Sequence, residues 1–174
     1  MHPEIVSIAL FWFVTAYTPG PNNVVASYSG FNFGIIKTMP HILGVVLGFT
    51  SLVFFLTIGL INIFKLFPII QEIIKYLGTL FLIYLAFKIA SSTTSDNTEK
   101  LNPVKFFETF IFQYLNPKGV MVAIIVVSTY VELGENYLNY ATQVVTLALL
   151  FSSTSITLWA FIGKFLRKFA TNDK

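Results

Sequence analysis

Four stretches of this chain, 5–36, 38–64, 119–131 and 136–163, pass without a single Lys, Arg, Asp or Glu. A helix needs roughly 20 mainly apolar residues to cross a hydrocarbon core of about 30 Å, and three of the four stretches exceed that length. Residues 66–90 form a further candidate, with Glu72 and Lys75 near its start, where they reach the headgroups or pair one helical turn apart. Stretch 119–131 becomes long enough only when joined to 104–118. Hydrophobic residues make up 55% of the chain against 11% charged, which excludes an ordinary soluble domain. The fold class expected is all-α, a polytopic membrane helix bundle with five spans at about 5–28, 38–64, 68–90, 104–131 and 137–163.

The start, MHPEIVSI, has no Lys or Arg before the apolar segment, so it lacks the basic n-region of a cleaved signal peptide and is expected to stay as a span. Absence of cysteine removes disulfides, thiolate metal sites and thiol catalysis together. The basic residues sort by topology rather than as a nucleic-acid footprint. With the N-terminus outside, the inner segments hold Lys37, Lys88, Lys100, Lys105, Lys164, Arg167, Lys168 and Lys174, and the outer ones hold Lys65 and Lys75. That bias predicts an N-terminus outside and a cytoplasmic C-terminus. SSTTSDNTEKLNP, 91–103, reads as an exposed cytoplasmic linker between a first unit of three spans, 1–90, and a second of two spans and a basic tail, 104–174. The tail itself reads as the snorkelling end of the fifth helix.

Inside the first span lies YTPGPNN, 17–23. Pro19 and Pro21 each remove a backbone donor, and Gly20 eases a non-helical backbone between them, so the helix is expected to break here. A break in hydrocarbon survives only where protein or a water-filled cavity surrounds it. Thr18, Asn22 and Asn23 then either satisfy the freed groups or face a ligand. The fourth span repeats this chemistry in FQYLNPKGVM, with Asn116, Pro117, Lys118 and Gly119. Two interrupted helices, each leading its half and running in opposite senses, point to an inverted repeat with a site at the membrane midplane. Half-helix N-termini there favour a carboxylate and C-terminal carbonyls an ammonium, a match for an amino-acid zwitterion.

Lys118 has two open roles: holding a substrate carboxylate or moving a proton, or else neutralising the carbonyls of a helix end. Glu108, one turn from Lys105, reads as an interfacial ion pair or, if turned inward, a coupling residue. His41 is a third coupling candidate and otherwise an interfacial hydrogen-bonding residue. Gln113 and Tyr114 offer polar contacts or packing. Gly44 and Gly48, four apart, are expected to let the second helix approach a neighbour, whereas Gly30 and Gly34 flank FNF and shape either packing or the loop.

TPGPNN at 18–23, the glycines at 30, 34, 44 and 48, and LNPKG at 115–119 resemble the LysE/RhtB family of bacterial amino-acid exporters, over most of the chain. The resemblance implies export of amino acids or close analogues across the inner membrane by antiport with a proton or other ion. It implies a site around Pro19, Gly20, Pro21, Asn22, Asn23, Asn116, Pro117 and Lys118, and a homodimer in the lipid bilayer. No cofactor, metal or nucleic acid is implied. Family members usually have six spans and the second half here has two, so the chain is expected to lack the sixth, either working as a five-span form or standing as a shortened, non-transporting member. A heavy-metal exporter is the other transport reading, but His2 and His41 alone leave little for a soft metal. An enzyme is not expected, because no HExxH, paired intramembrane aspartates or Ser-His arrangement is present.

Overall fold

The structure, a computed structural model, describes residues 3–91, 103–132 and 134–170, so the linker expected at 91–103 lies almost wholly outside the described residues. The elements are α1 (Pro3–Tyr17), α2 (Pro21–Phe55), a π-helical turn (Leu56–Leu60), α3 (Ile61–Leu66), α4 (Ile69–Ser91), α5 (Phe106–Leu115), α6 (Pro117–Tyr130) and α7 (Tyr137–Ala170). No strand occurs among the described residues. The all-α membrane bundle is therefore as expected.

Both proline motifs break their spans. α1 stops at Tyr17, and α2 restarts with Pro21 in the first helical turn, where a missing N–H has no intrahelical partner to lose. Pro117 opens α6 in the same way, and α5 and α6 meet at a bend of 58° across Asn116.

α2 is not one crossing. By length and hydropathy alone Pro21–Gly59 passes as a single span, yet as a straight helix it would be roughly 58 Å long, about twice the hydrocarbon thickness. Gly34 has φ 76° and ψ 173°, a left-handed backbone that only glycine adopts freely, and the chain reverses there. Asn22 and His41 are 19 residues apart, about 28 Å along a straight helix, but His41 Nε2 sits 3.2 Å from the Asn22 carbonyl oxygen. The Ser29 and Thr38 hydroxyls close the same hairpin at 2.8 Å. Its arms are 21–33 and 35–55. The first span therefore runs beyond the expected residue 28, and the loop before the second shrinks to a single glycine.

α7 runs alongside the first broken span in the same direction: Ser155 Oγ donates to Ala16 O at 2.8 Å, Ser27 Oγ to Trp159 O at 2.8 Å, and Arg167 to Asn32 O at 3.3 Å. α5 runs parallel to the second arm of α2. Gly44 and Gly48 lie against it, and an added Cβ on either would come within 2.7 Å of a carbonyl oxygen, of Phe106 and Phe110 respectively. The α5–α6 span is consequently antiparallel to the first broken span. Gly30 packs against the Ala160 backbone of α7, and Gly78 of α4 against the Leu115 carbonyl beside the second break.

Two apolar clusters hold this arrangement. One joins Ile8 and Trp12 of α1 to Leu52, Val126 and Ala148, and the other joins Ala26, Ile42 and Val46 of α2 to Ile156 and Ala160 of α7. The broken motifs lie at the level between them.

Candidate functional site

The first break leaves carbonyls at the C-terminal end of α1 without helical partners. Three side chains take them up. Asn23 Nδ2 donates to Ala16 O at 3.1 Å and Thr18 O at 2.9 Å, and Ser155 Oγ donates to Ala16 O. Lys118 Nζ, from the other break, donates to Thr18 O at 2.9 Å, Thr18 Oγ1 at 3.0 Å and Pro19 O at 3.4 Å. A cation thus sits at the negative end of the α1 dipole. Of the roles open to Lys118, pairing with a helix end is the one its contacts describe.

The two motif asparagines work differently. Asn23 is buried and caps α1. Asn22 ties α2 to α5 through a reciprocal amide pair, Asn22 Nδ2 donating to Gln113 Oε1 at 2.7 Å and Gln113 Nε2 to Asn22 Oδ1 at 3.3 Å. Gln113 is anchored in turn by donating to Thr109 O at 2.8 Å. His41 lies just behind this pair, buried, with Nε2 on Asn22 O and Nδ1 3.1 Å from Thr109 Oγ1.

Between the breaks is a cavity of about 80 Å³, room for several waters or a small solute. Gly20, Pro21, Asn22, Asn23, Asn116 and Lys118 line it. Thr18, Pro19 and Pro117 flank it without lining it. The N-termini of α2 and α6 both open onto its wall, and with the Lys118 ammonium they bias it toward an anionic group. No Asp or Glu is among the lining residues. The rest of its lining includes Trp12 and Thr15 of α1 and Ser152 and Ser155 of α7, two helices that pack against each other here.

Glu108 does not join this group. It is exposed, and its Oε2 accepts from the Lys105 backbone N–H at 3.4 Å, a capping contact at the start of α5. Trp12, Ser152 and Ser155 were missed in the sequence; Trp12 lies in an apolar run, whereas Ser152 and Ser155 belong to the hydroxyl cluster SSTS, 152–155, inside a charge-free span, a signal that could have pointed to a polar face.

The model of the LysE type translocator family matches residues 13–173, nearly the whole chain. The chain belongs to this family. Among the relatives of this translocator is a protein of Salmonella typhimurium (strain LT2) named cysteine/O-acetylserine efflux protein. It is 30% identical over 172 residues, covering 97% of this chain and 87% of the relative. A protein of the same name from Escherichia coli (strain K12) is 27% identical over the same coverage. No solved structure matches the chain. The family expected from TPGPNN and LNPKG is the one found, and the reading of the chain as an amino-acid exporter of that family stands with it.

Proposed function

We propose that this translocator exports small amino acids with uncharged side chains, of the cysteine and O-acetylserine kind, across the bacterial inner membrane in exchange for an inward-moving proton. The observation that carries the reading is the cavity where both helix breaks meet. It is small, offers two helix N-termini and an ammonium to a carboxylate, and offers Ser152, Ser155 and Asn116 to an ammonium. A cationic side chain would find no carboxylate in its lining and an aromatic one no room, which agrees with the names of the relatives.

His41 is the residue best placed for coupling. A carbonyl only accepts, so Nε2 carries a proton toward Asn22 O. In the neutral ring, Thr109 donates its hydroxyl proton to Nδ1. In the protonated ring, Nδ1 donates and Thr109 turns its proton to Lys105 O, 3.2 Å away. A proton on His41 thus changes the link between α5 and the start of α2, both of which contribute residues to the cavity lining. The distribution of basic residues supports an N-terminus outside and a cytoplasmic C-terminus.

The test is efflux from liposomes preloaded with labelled cysteine, O-acetylserine, lysine and phenylalanine under an acid-outside pH gradient. Gradient-dependent loss of the first two, with lysine and phenylalanine retained, is the expected result. No gradient-dependent loss relative to protein-free liposomes would reject export, and lysine leaving as fast as cysteine would reject the substrate class.

A further inference from the structure

Where the α2 corner meets the end of α7, an open groove of about 470 Å³ is lined by Lys164, Arg167 and Lys168, with no Asp or Glu among its lining residues. The same face of α7 brings Phe161 and Phe165 to it, since 161, 164, 165 and 168 follow the three-and-four spacing of one helical stripe. The facing wall is backbone. Gly30 and Gly34 of α2 line it: Gly30 packs against the Ala160 backbone, and a Cβ added at Gly34 would meet nothing within 4 Å, so the space in front of the corner is open.

Both phenylalanines and all three basic side chains are exposed, so a ligand in the groove reaches them. Arg167 leans on the α2 corner, its Nη1 donating to Asn32 O at 3.3 Å. Neither lysine ammonium has a hydrogen bond or ion pair among the described residues. Lys164 and Lys168 are one turn apart on the same helix, a like-charge spacing that destabilises unless an anion lies near both. Lys164 is also the first charged residue after the charge-free stretch 136–163, so the groove stands where α7 leaves the hydrocarbon for the headgroup layer.

We propose that this groove seats the headgroup of an anionic phospholipid from the leaflet at which α7 ends, with Lys164 and Lys168 holding the phosphate and Phe161 and Phe165 lying along the acyl chains. The phosphate relieves the repulsion between the cations, and the aromatic rings supply apolar surface that a soluble phosphate does not use. A zwitterionic lipid brings the same phosphate with an ammonium attached, which three cations and no carboxylate disfavour. An uncharged polyol headgroup carries no such penalty. Basic residues gather at a helix end for topological reasons alone; the groove is what distinguishes this group from Lys37 and Lys105, which do not line it. The groove shares no lining residue with the cavity between the helix breaks, so the inference stands independently of what the translocator exports.

The test compares three forms of the full chain, purified in neutral detergent and stripped of lipid: wild type, Lys164→Gln with Lys168→Gln, and Lys37→Gln with Lys105→Gln. The last pair removes the same charge outside the groove. Each form is mixed with equal amounts of phosphatidylglycerol and phosphatidylcholine, and bound lipid is counted by native mass spectrometry. Wild type and the Lys37/Lys105 variant are expected to favour phosphatidylglycerol by roughly tenfold or more, at about fivefold for each lysine near the phosphate. The groove variant should lose that preference to within about twofold. Without lipid, all three should melt within about 3 °C of one another, because every substituted side chain is exposed. No preference in wild type, a preference kept by the groove variant, or equal loss in both variants would overturn the inference, the last by reducing the groove to general basic charge. A second arm identifies the source of the phosphate. Phosphatidylglycerol should raise the wild-type midpoint by about 3 °C or more, and inorganic phosphate or glycerol phosphate at the same concentration should not. An equal rise with the soluble anions would overturn the lipid assignment.

Discussion

Lys118 directs its ammonium to the backbone of a helix 100 residues earlier in the chain. A lysine near the middle of a membrane helix is disfavoured by about 2.5–3.5 kcal/mol, and carbonyls left open in hydrocarbon are disfavoured as well; bringing the two together offsets both. Lys118→Met is therefore expected to lower stability by roughly 1–3 kcal/mol, read as a lower thermal midpoint, and to abolish export. Gly20→Ala separates the two effects. Gly20 is extended, with φ −160°, so alanine is conformationally acceptable there, but its Cβ would lie 3.0 Å from Lys118 Nζ and 3.1 Å from Cδ and would push the ammonium aside. The variant should fold near normally and export poorly; export at the wild-type rate would mean that the position of Lys118 is unimportant. Asn22→Ala removes both bonds to Gln113 and should abolish export while the protein still inserts, as judged by membrane extraction and efflux. The special chemistry of these residues was legible in TPGPNN and LNPKG. Their division of labour was not, since nothing local distinguishes Asn22, which reaches α5, from Asn23, which turns back to cap α1.

Helix contacts here depend on backbones meeting without side chains between them. Gly48 faces the Phe110 carbonyl at 2.7 Å from its would-be Cβ, whereas at Gly119 the nearest atom is Asn116 Nδ2 at 3.5 Å, an ordinary contact. Gly48→Ala should lower the thermal midpoint by the equivalent of about 1–3 kcal/mol because α5 must move away, and Gly119→Ala should change it by less than about 0.5 kcal/mol. Equal effects would show that α5 is not seated against α2 as described. The α2 hairpin was only partly readable. FNFG has no polar cluster or proline to announce a loop, and both flanks continue as good helix, so the reversal rests on one glycine at positive φ. The two broken spans, by contrast, were expected within a few residues, because a proline's missing donor and its clash with the preceding turn are local facts.

The assembled bundle places the α2 corner and the end of α7 together, through Arg167 and Asn32, and places the start of α7 at the other end of the second arm, where the Tyr137 hydroxyl donates to Thr57 O at 2.6 Å. The chain has no cysteine, so single cysteines report topology without background. Lys37→Cys and Lys168→Cys should react with an impermeant maleimide from one side of the membrane and Glu135→Cys from the other. Labelling of all three from the same side would contradict the bundle. Antiparallel pairing of the two broken spans is also the geometry an inverted repeat requires. Membrane environment, helical architecture, both breaks and the family were readable from the chain, because each depends on the composition of a segment or on the stereochemistry of neighbouring residues. Which atoms meet across the breaks, the exposed place of Glu108 and the presence of Trp12 and Ser155 at the cavity were decided only by tertiary structure. Apolar residues that face lipid and those that face another helix have the same chemistry, so an all-round apolar helix does not encode its own rotation or register, and these emerge only from packing.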